Sequence, residues 1–197
     1  MACEANQCVT ESANPSQELM NFVFTDAIDG WNYNNGGFYR WRETSENFVS
    51  PGLALYFGNS DGFQYCSPFF GAPNGIASLP GGQTDNFPTG AIQFDGTGST
   101  TLSFQVLADI RPQDSVDTIV MRLVNGDTQT TIWTKANLTE AQFGTWVPVS
   151  IDLTPYAPFN GRLEIIFDVV DGGDFGGCDA GGTGLHFDDI KVEQVCN

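Results

Sequence analysis

The chain has 197 residues, a length that fits one large domain, and 41% of them are hydrophobic, which is enough to form a packed core. It carries 24 acidic and 7 basic residues, for a formal net charge of -17. Such an acidic surface repels nucleic acid and anionic lipid, so neither is an expected partner, and the charge indicates either bound calcium or simple solubility. No apolar stretch reaches the roughly 18 residues that a membrane-spanning helix needs.

Short apolar runs separated by turn residues predict β-strands along most of the chain. Residues 101–107 and 117–124 alternate between apolar and polar, which is typical of half-buried strands. Asn125-Gly126 is a strong hairpin signal, and only residues 137–142 suggest a helical turn. The predicted strands are residues 19–25, 37–42, 53–58, 91–94, 101–107, 117–124, 128–134, 146–153, 163–170 and 185–192. This pattern predicts an all-β fold, a two-sheet antiparallel sandwich of the jelly-roll kind.

The domain organisation follows from composition. Residues 1–18 are polar and lack periodicity, so they are predicted to be a lead-in segment. Residues 19–197 contain no linker and no internal repeat, so they are predicted to form a single sandwich domain. Two segments rich in Gly, 66–90 (which also carries four prolines) and 171–184, are predicted to be long irregular loops. Such a loop is usually functional or mobile, and in a binding module these two would form the ligand contact.

Five cysteines are spread along the chain, and none forms a C-x-x-C pair, which argues against a zinc ribbon or a thioredoxin-like motif. Their wide spacing in a Gly-rich β chain favours disulfides, and therefore a secreted or cell-surface location. Because the termini of a sandwich are often close together, Cys3 or Cys8 is expected to bond Cys196, with Cys8 preferred. Cys66 and Cys178 are the expected second pair, which leaves one cysteine without a partner.

The order of several short motifs resembles a known family. An opening strand ends in Asp29-Gly30-Trp31, a second tryptophan follows at position 41, and further motifs lie at residues 53–59, 101–104, 146, 150–156 and 187–190. Over residues 19–195 this order resembles the jelly-roll domains of secreted bacterial proteins, including cleaved-adhesin domains and the MAM-like domains of immune-inhibitor-type metallopeptidases.

The resemblance implies a galactose-binding-like or MAM-like jelly roll without catalytic activity. Domains of this kind bind glycans or proteins or support a neighbouring domain, and many hold structural calcium. The segment 66–90 and the cysteines depart from the family pattern.

The sequence lacks the common catalytic motifs. H-E-x-x-H, G-x-S-x-G and the phosphate-binding loop are all absent. The only histidine, His186, alternates with Phe187 in a predicted strand, so one of the two points outward, and we interpret His186 as structural. Carboxylate pairs of the glycosidase kind abound, but no pair is singled out. The chain is therefore not expected to be an enzyme.

Calcium is the expected cofactor, since it prefers carboxylate and carbonyl oxygens. Asp188 and Asp189 are adjacent in the last predicted strand, where neighbouring side chains face opposite ways, so only one is expected to face a given site. The resemblance implies that this carboxylate meets the end of the opening strand, where Asp26 and Asp29 lie. The alternative is that these acids are simply solvated.

A second candidate calcium site lies in the segment 171–184. Asp171, Asp174 and Asp179 are separated there by glycines, which allow backbone carbonyls to turn toward an ion. Their spacing fits no known calcium loop, and a solvated loop tip is the alternative.

Aromatic residues suggest a ligand surface, because sugar rings stack on exposed aromatic faces. The predicted contact residues come from the segments 31–41 and 63–70, and they are Tyr33, Tyr39, Tyr65, Phe69 and Phe70. By contrast, Trp31, Trp41 and Trp146 are predicted to lie in the core.

Together these observations predict a non-catalytic, secreted or cell-surface binding module. It would be adhesin-like, with a glycan or a surface protein as ligand, and calcium would stabilise it. The alternative is an accessory domain that supports the assembly of a larger secreted protein and has no ligand of its own.

Overall fold

The computed structural model describes residues 2–4, 7–9, 16–22, 32–35, 40–58, 74–79, 92–110, 117–169 and 183–196. The strands in these segments, numbered in chain order, are β1 (Ala2–Glu4), β2 (Gln7–Val9), β3 (Ser16–Phe22), β4 (Asn32–Asn35), β5 (Arg40–Thr44), β6 (Ala54–Gly58), β7 (Asn74–Leu79), β8 (Ile92–Phe94), β9 (Gly98–Asp109), β10 (Asp117–Asn125), β11 (Thr128–Thr134), β12 (Trp146–Asp152), β13 (Phe159–Val169) and β14 (Gly184–Cys196).

Twelve of the described strands form two antiparallel sheets. The first sheet has the order β12-β9-β14-β6-β5, and β3 also pairs with β14. The second sheet has the order β11-β10-β13-β7-β4, and β8 also pairs with β13. Strands that are distant in the chain lie side by side in both sheets, as in a jelly roll, so the predicted fold class is confirmed.

The hydrophobic core lies between the two sheets. In β9 the buried residues Leu102, Phe104 and Val106 alternate with half-buried ones, as expected for a strand with one face toward the core. Rings from both sheets meet there: Phe57 of β6 contacts Phe167 of β13 edge-to-face, with ring centroids 4.8 Å apart. Trp41 is only 1% exposed and belongs to this core, as predicted.

Most predicted strands are present with shifted ends. The opening strand begins at Ser16 rather than at residue 19, so it extends into the segment that was predicted to be a polar lead-in. The last strand runs to Cys196, and the hairpin predicted at Asn125-Gly126 joins β10 to β11. The predicted helical turn corresponds to two short 3-10 turns, Lys135–Asn137 and Glu140–Gln142. No helix in the described part of the chain is long and apolar enough to cross a membrane.

The prediction that residues 66–90 form one irregular loop is wrong for its middle part. Residues 74–79 form β7, which pairs with β13 on one side and with β4 on the other. This interior position is stabilised by two neighbouring strands rather than by the local sequence, in which Ile76 and Leu79 are the only large apolar residues. The remainder of that segment, and residues 171–182, lie outside the described residues.

The cysteine pairing remains a prediction. Cys8 lies in β2, where the backbone register places it opposite Cys3 of β1, and Cys196 is the last residue of β14. The residues Cys66 and Cys178 are outside the described part of the chain.

Candidate functional site

The outward side of the first sheet is largely closed. A row of paired residues crosses it from Trp146 through Leu107 and His186 to Tyr56. Leu107, His186 and Tyr56 are at most 8% exposed although they face away from the core between the sheets. Trp146 belongs to this row and is half-buried, so its predicted place in the core is wrong.

His186 is the centre of this closed row. Its ring stacks on Tyr56, with centroids 4.6 Å apart, and meets Trp146 edge-on at 6.2 Å. Burial lowers the pKa of His186 to about 4, and the nearby Asp109 carboxylate only partly opposes this effect. The imidazole is therefore neutral at physiological pH, and Phe187 faces the core, which agrees with a structural role for His186.

Tyr56 fixes this row to the start of β14. Its hydroxyl donates to the carbonyl of Thr183 at 2.8 Å, and the backbone N–H and hydroxyl of Thr183 each donate to Asp109 Oδ2 at 2.8 Å. The phenol ring lies over Gly58, where an added Cβ would be only 1.7 Å from the tyrosine oxygen. A residue other than glycine at position 58 would displace the ring.

Asp188 is fully buried on the same outward side, and its carboxylate accepts three backbone hydrogen bonds. Oδ2 accepts from the N–H groups of Val49 and Ser50, at 2.7 and 3.0 Å, and Oδ1 accepts from the N–H of Asp189 at 2.8 Å. These donors compensate the buried negative charge. They connect β14 to the loop 45–53, which joins β5 to β6.

Asp189 faces the same loop, contrary to the expectation from strand alternation. A β-bulge interrupts the pairing of β14 with β9 between Asp188 and Lys191, and Asp189 has a positive φ of 49°. The Ser50 hydroxyl donates to Asp189 Oδ1 at 2.5 Å. Both acids therefore contact one loop, whose tip exposes Phe48 and Val49 at 43% and 42%.

A shallow depression of about 270 Å³ lies beside this loop on the first sheet. Its polar lining comes from Ser103 and Gln105 of β9, Ser150 of β12 and Asp189. Of these four side chains Ser150 is exposed and the other three are half-buried, so the depression is one surface that a ligand could reach.

The outward side of the second sheet carries a cluster of charged side chains. In β13, Glu164 alternates with the buried Leu163 and Ile165, so it faces away from the core. The register pairs Glu164 with Arg122 of β10, and Arg122 with Thr131 of the edge strand β11. On the other side, Glu164 pairs with position 78 of β7, which pairs with position 32 of β4.

Glu164 is held by two arginines. Its Oε2 accepts from Arg122 Nε at 2.7 Å and lies 2.6 Å from Arg122 Nη2, and its Oε1 accepts from Arg162 Nε at 2.7 Å. Arg122 Nη1 donates to Gln129 Oε1 at 2.6 Å. We call these four residues, Arg122, Gln129, Arg162 and Glu164, the arginine cluster.

Exposure increases from the centre of this cluster to its rim. The side chain of Glu164 is 5% exposed, that of Arg122 21% and that of Arg162 40%. Charge-assisted hydrogen bonds between planar groups fix the guanidinium orientation, so the exposed edge of Arg162 is pre-organised.

The site roles predicted for several residues stay predictions. Asp26, Asp29, Asp171, Asp174, Tyr39, Tyr65, Phe69 and Phe70 lie outside the described residues. Tyr33 is in β4, where its backbone pairs with the buried Ala77, and β4 is an edge strand of the sheet that carries the arginine cluster.

The calcium ligands also stay a prediction. Within the described residues no group of three or more His, Cys, Asp or Glu side chains is arranged to hold a metal ion. Three oxygen lone pairs of Asp188 are engaged by N–H donors, so the described residues alone do not form a calcium site. Any site there would need Asp189 together with residues outside the described part.

The arginine cluster was missed by the sequence analysis. The sequence contains only a weak signal for it: Arg122, Arg162 and Glu164 alternate with large apolar residues in their strands. Arg162 and Glu164 lie two residues apart in β13, but nothing in the sequence shows that β10 pairs with β13. Only the fold brings Arg122 beside them.

Comparisons with known proteins agree on the fold. No protein-family model and no curated protein matches the chain. Among solved structures, the chain is similar to the CBM22-1-GH10 modules of the Clostridium thermocellum xylanase Xyn10B complexed with xylohexaose, at 16% identity and a TM-score of 0.50, covering 90% of this chain and 28% of that one.

Two further matches have TM-scores slightly below 0.5. One is the CBM22-1 xylan-binding domain of Paenibacillus barcinonensis Xyn10C, at 14% identity and a TM-score of 0.49, covering 94% of this chain and 99% of that one. The other is the K3 cleaved adhesin domain of Lys-gingipain from Porphyromonas gingivalis, at 13% identity and a TM-score of 0.48, covering 89% and 99%. At 16% identity the Xyn10B match supports the fold alone, the jelly-roll β-sandwich that the strand order already shows. The Lys-gingipain match is a cleaved-adhesin domain, the kind of domain that the sequence resembles.

Proposed function

We propose that this protein is a non-catalytic, secreted or cell-surface module that binds a glycan on the outward side of the second sheet. The observation that carries the proposal is the arginine cluster, in which planar polar side chains are held in fixed orientations at a partly exposed sheet surface. Pre-oriented planar groups of this kind support sugar recognition, since they present N–H donors to sugar oxygens at defined angles. The xylohexaose complex of the Clostridium thermocellum neighbour makes a polysaccharide the first ligand to test.

The two sheet surfaces can be compared directly by adding one bulky side chain to each. Thr131 of β11 and Ser150 of β12 are both exposed hydroxyl residues on edge strands, one on each sheet. We expect Thr131→Met to weaken glycan binding and Ser150→Met, which enters the depression on the first sheet, to leave it unchanged. Binding would be measured by affinity electrophoresis and calorimetry over a polysaccharide panel that includes xylohexaose.

The outcomes separate the alternatives. If no polysaccharide binds the wild type, the glycan proposal fails, and the accessory-domain reading gains support. If glycan binds and only Ser150→Met weakens it, the module binds glycan on the first sheet instead.

We further propose that calcium stabilises the module, with ligands drawn from Asp189 and from Asp26, Asp29, Asp171 and Asp174. The support is the net charge of -17, which calcium would relieve. We expect a chelator to lower the melting temperature and added calcium to restore it, because an ion that binds only the folded state stabilises it by mass action. An unchanged melting temperature in the chelator would argue against this cofactor.

A further inference from the structure

We infer that the glycan bound at the arginine cluster carries an anionic group, either the carboxylate of a uronic acid or a sulfate ester. This inference rests on the proposed function, because it concerns the chemical class of ligand for that same surface.

The first argument is the balance of donors and acceptors. Both oxygens of Glu164 accept from arginines and its side chain is 5% exposed, so it has little capacity left for a sugar hydroxyl. Gln129 is exposed, but its carbonyl oxygen already accepts from Arg122 Nη1, so the amide group that remains is a donor. The cluster therefore offers donors and almost no acceptors.

The second argument is the geometry of Arg162. Only its Nε is bonded to Glu164, and its Nη1 and Nη2 have no hydrogen-bond partner among the described residues. This terminal edge of the guanidinium carries two N–H groups side by side, the spacing that a carboxylate or sulfate oxygen pair accepts in a bidentate manner. The Nε bond to Glu164 holds this edge in place before a ligand arrives.

The third argument is local charge. Two arginines and one glutamate give the cluster a charge of +2 - 1 = +1, in a chain whose formal net charge is -17. Only 7 basic residues exist in the chain, and two of them converge on one carboxylate here. At physiological ionic strength the distant acids are screened beyond about 8 Å, so the local positive charge dominates for a group in contact with the cluster.

The test compares polysaccharides that share a backbone and differ in charge. Polygalacturonate would be used with its carboxylates free and with them methyl-esterified, and dextran would be used with and without sulfate esters. We expect the wild type to bind one charged form at least tenfold more tightly than its neutral partner, with weaker binding at high salt. The pair that shows the difference identifies the source of the anionic group.

Substitutions of Arg162 test whether the preference for the charged polysaccharide arises at the arginine cluster. Arg162→Gln is expected to lose roughly ten- to a hundredfold in affinity for the charged form, since a charge-assisted pair of hydrogen bonds is removed. Arg162→Lys keeps the positive charge but lacks the two side-by-side N–H groups, and it is expected to lose less affinity than Arg162→Gln. The matched control is Arg40→Gln, which removes the same charge from an exposed position at the start of β5 in the other sheet and should not change binding. Thermal unfolding would verify that each variant is folded.

Failure of the inference is distinct from failure of the proposed function. Equal affinity for charged and neutral partners, or an Arg162→Gln variant that binds the charged form as well as Arg40→Gln does, would overturn the anionic ligand while glycan binding stands. If neither pair binds the wild type but another glycan of the panel does, the anionic ligand is overturned and the proposed function stands. If no glycan of the panel binds, both proposals fall.

Discussion

Each sheet buries one carboxylate on its outward side, and the two carboxylates have different kinds of hydrogen-bond partner. On the first sheet, the Asp188 carboxylate is fully buried and accepts three backbone N–H bonds, two of them from the loop 45–53. On the second sheet, Glu164 is nearly as buried, but its partners are two arginine side chains that extend into solvent. The buried acid with backbone partners anchors the loop to the sheet, whereas the acid with arginine partners holds N–H donors at the surface where we propose that a ligand binds.

Removing Asp188 should have the largest effect on stability. We expect Asp188→Ala to lower the free energy of unfolding by about 4 kcal/mol, because three donors lose a charged acceptor at once. Asp189→Asn is the matched control. It is expected to lose less than about 1 kcal/mol, since asparagine tolerates a positive φ and keeps an acceptor for Ser50.

Both variants would be measured by urea denaturation in the presence of a chelator. If the loss in Asp188→Ala disappears without calcium, the residue acts as a metal ligand rather than as the acceptor for the loop.

The closed first sheet also predicts an unusual titration. His186 is the only histidine of the chain, so its ring signals can be followed by NMR without ambiguity, and we expect a pKa of about 4. The pKa in the folded state lies below the unfolded value of 6.5, so the unfolded chain binds more protons between these values. Stability from this group is therefore complete above pH 6.5 and is lost as the pH falls toward 4, by about 3 kcal/mol in total. A measured pKa near 6.5 would show that this surface is open to water.

Glu164, the buried acid on the second sheet, should contribute less to stability than Asp188. Glu164→Ala is expected to lower the free energy of unfolding by about 2 kcal/mol, because its two arginines are partly exposed and water can replace the lost acceptor. Glu164→Gln keeps the shape and should lose about half as much. A loss equal to that of Asp188→Ala, measured by the same urea denaturation, would remove the distinction between the two sheets.

The strands were predictable from the sequence where local pattern and pairing agree. β9 and β10 alternate between apolar and polar residues, and the Asn125-Gly126 turn joins β10 to β11, so the positions of these three strands were predicted to within a few residues. β7 was missed because its stability comes from pairing on both sides, which no local pattern records.

The arginine cluster was harder to predict for the same reason. Arg122 and Glu164 are 42 residues apart in the chain and become neighbours only through the register of β10 and β13. For the two adjacent acids of β14, the local pattern was clear but gave the wrong orientation. Strand alternation assigns Asp188 and Asp189 to opposite sides, but the bulge that follows Asp188 breaks the alternation, and both acids contact Ser50.

The smallest change in stability is expected for Arg162→Gln, a substitution intended to affect ligand binding alone. Arg162 is 40% exposed and makes one hydrogen bond to Glu164, and Glu164 keeps Arg122 as a partner without it. Arg162→Gln should therefore change the free energy of unfolding by less than about 0.5 kcal/mol, as measured against the Arg40→Gln control by urea denaturation. A loss of about 2 kcal/mol or more, the size of the Glu164→Ala effect, would mean that Arg162 contributes as much to the stability of the fold as Glu164 does. A negligible loss together with weakened ligand binding would mean that the arginine edge is retained for the ligand, since the fold does not need it.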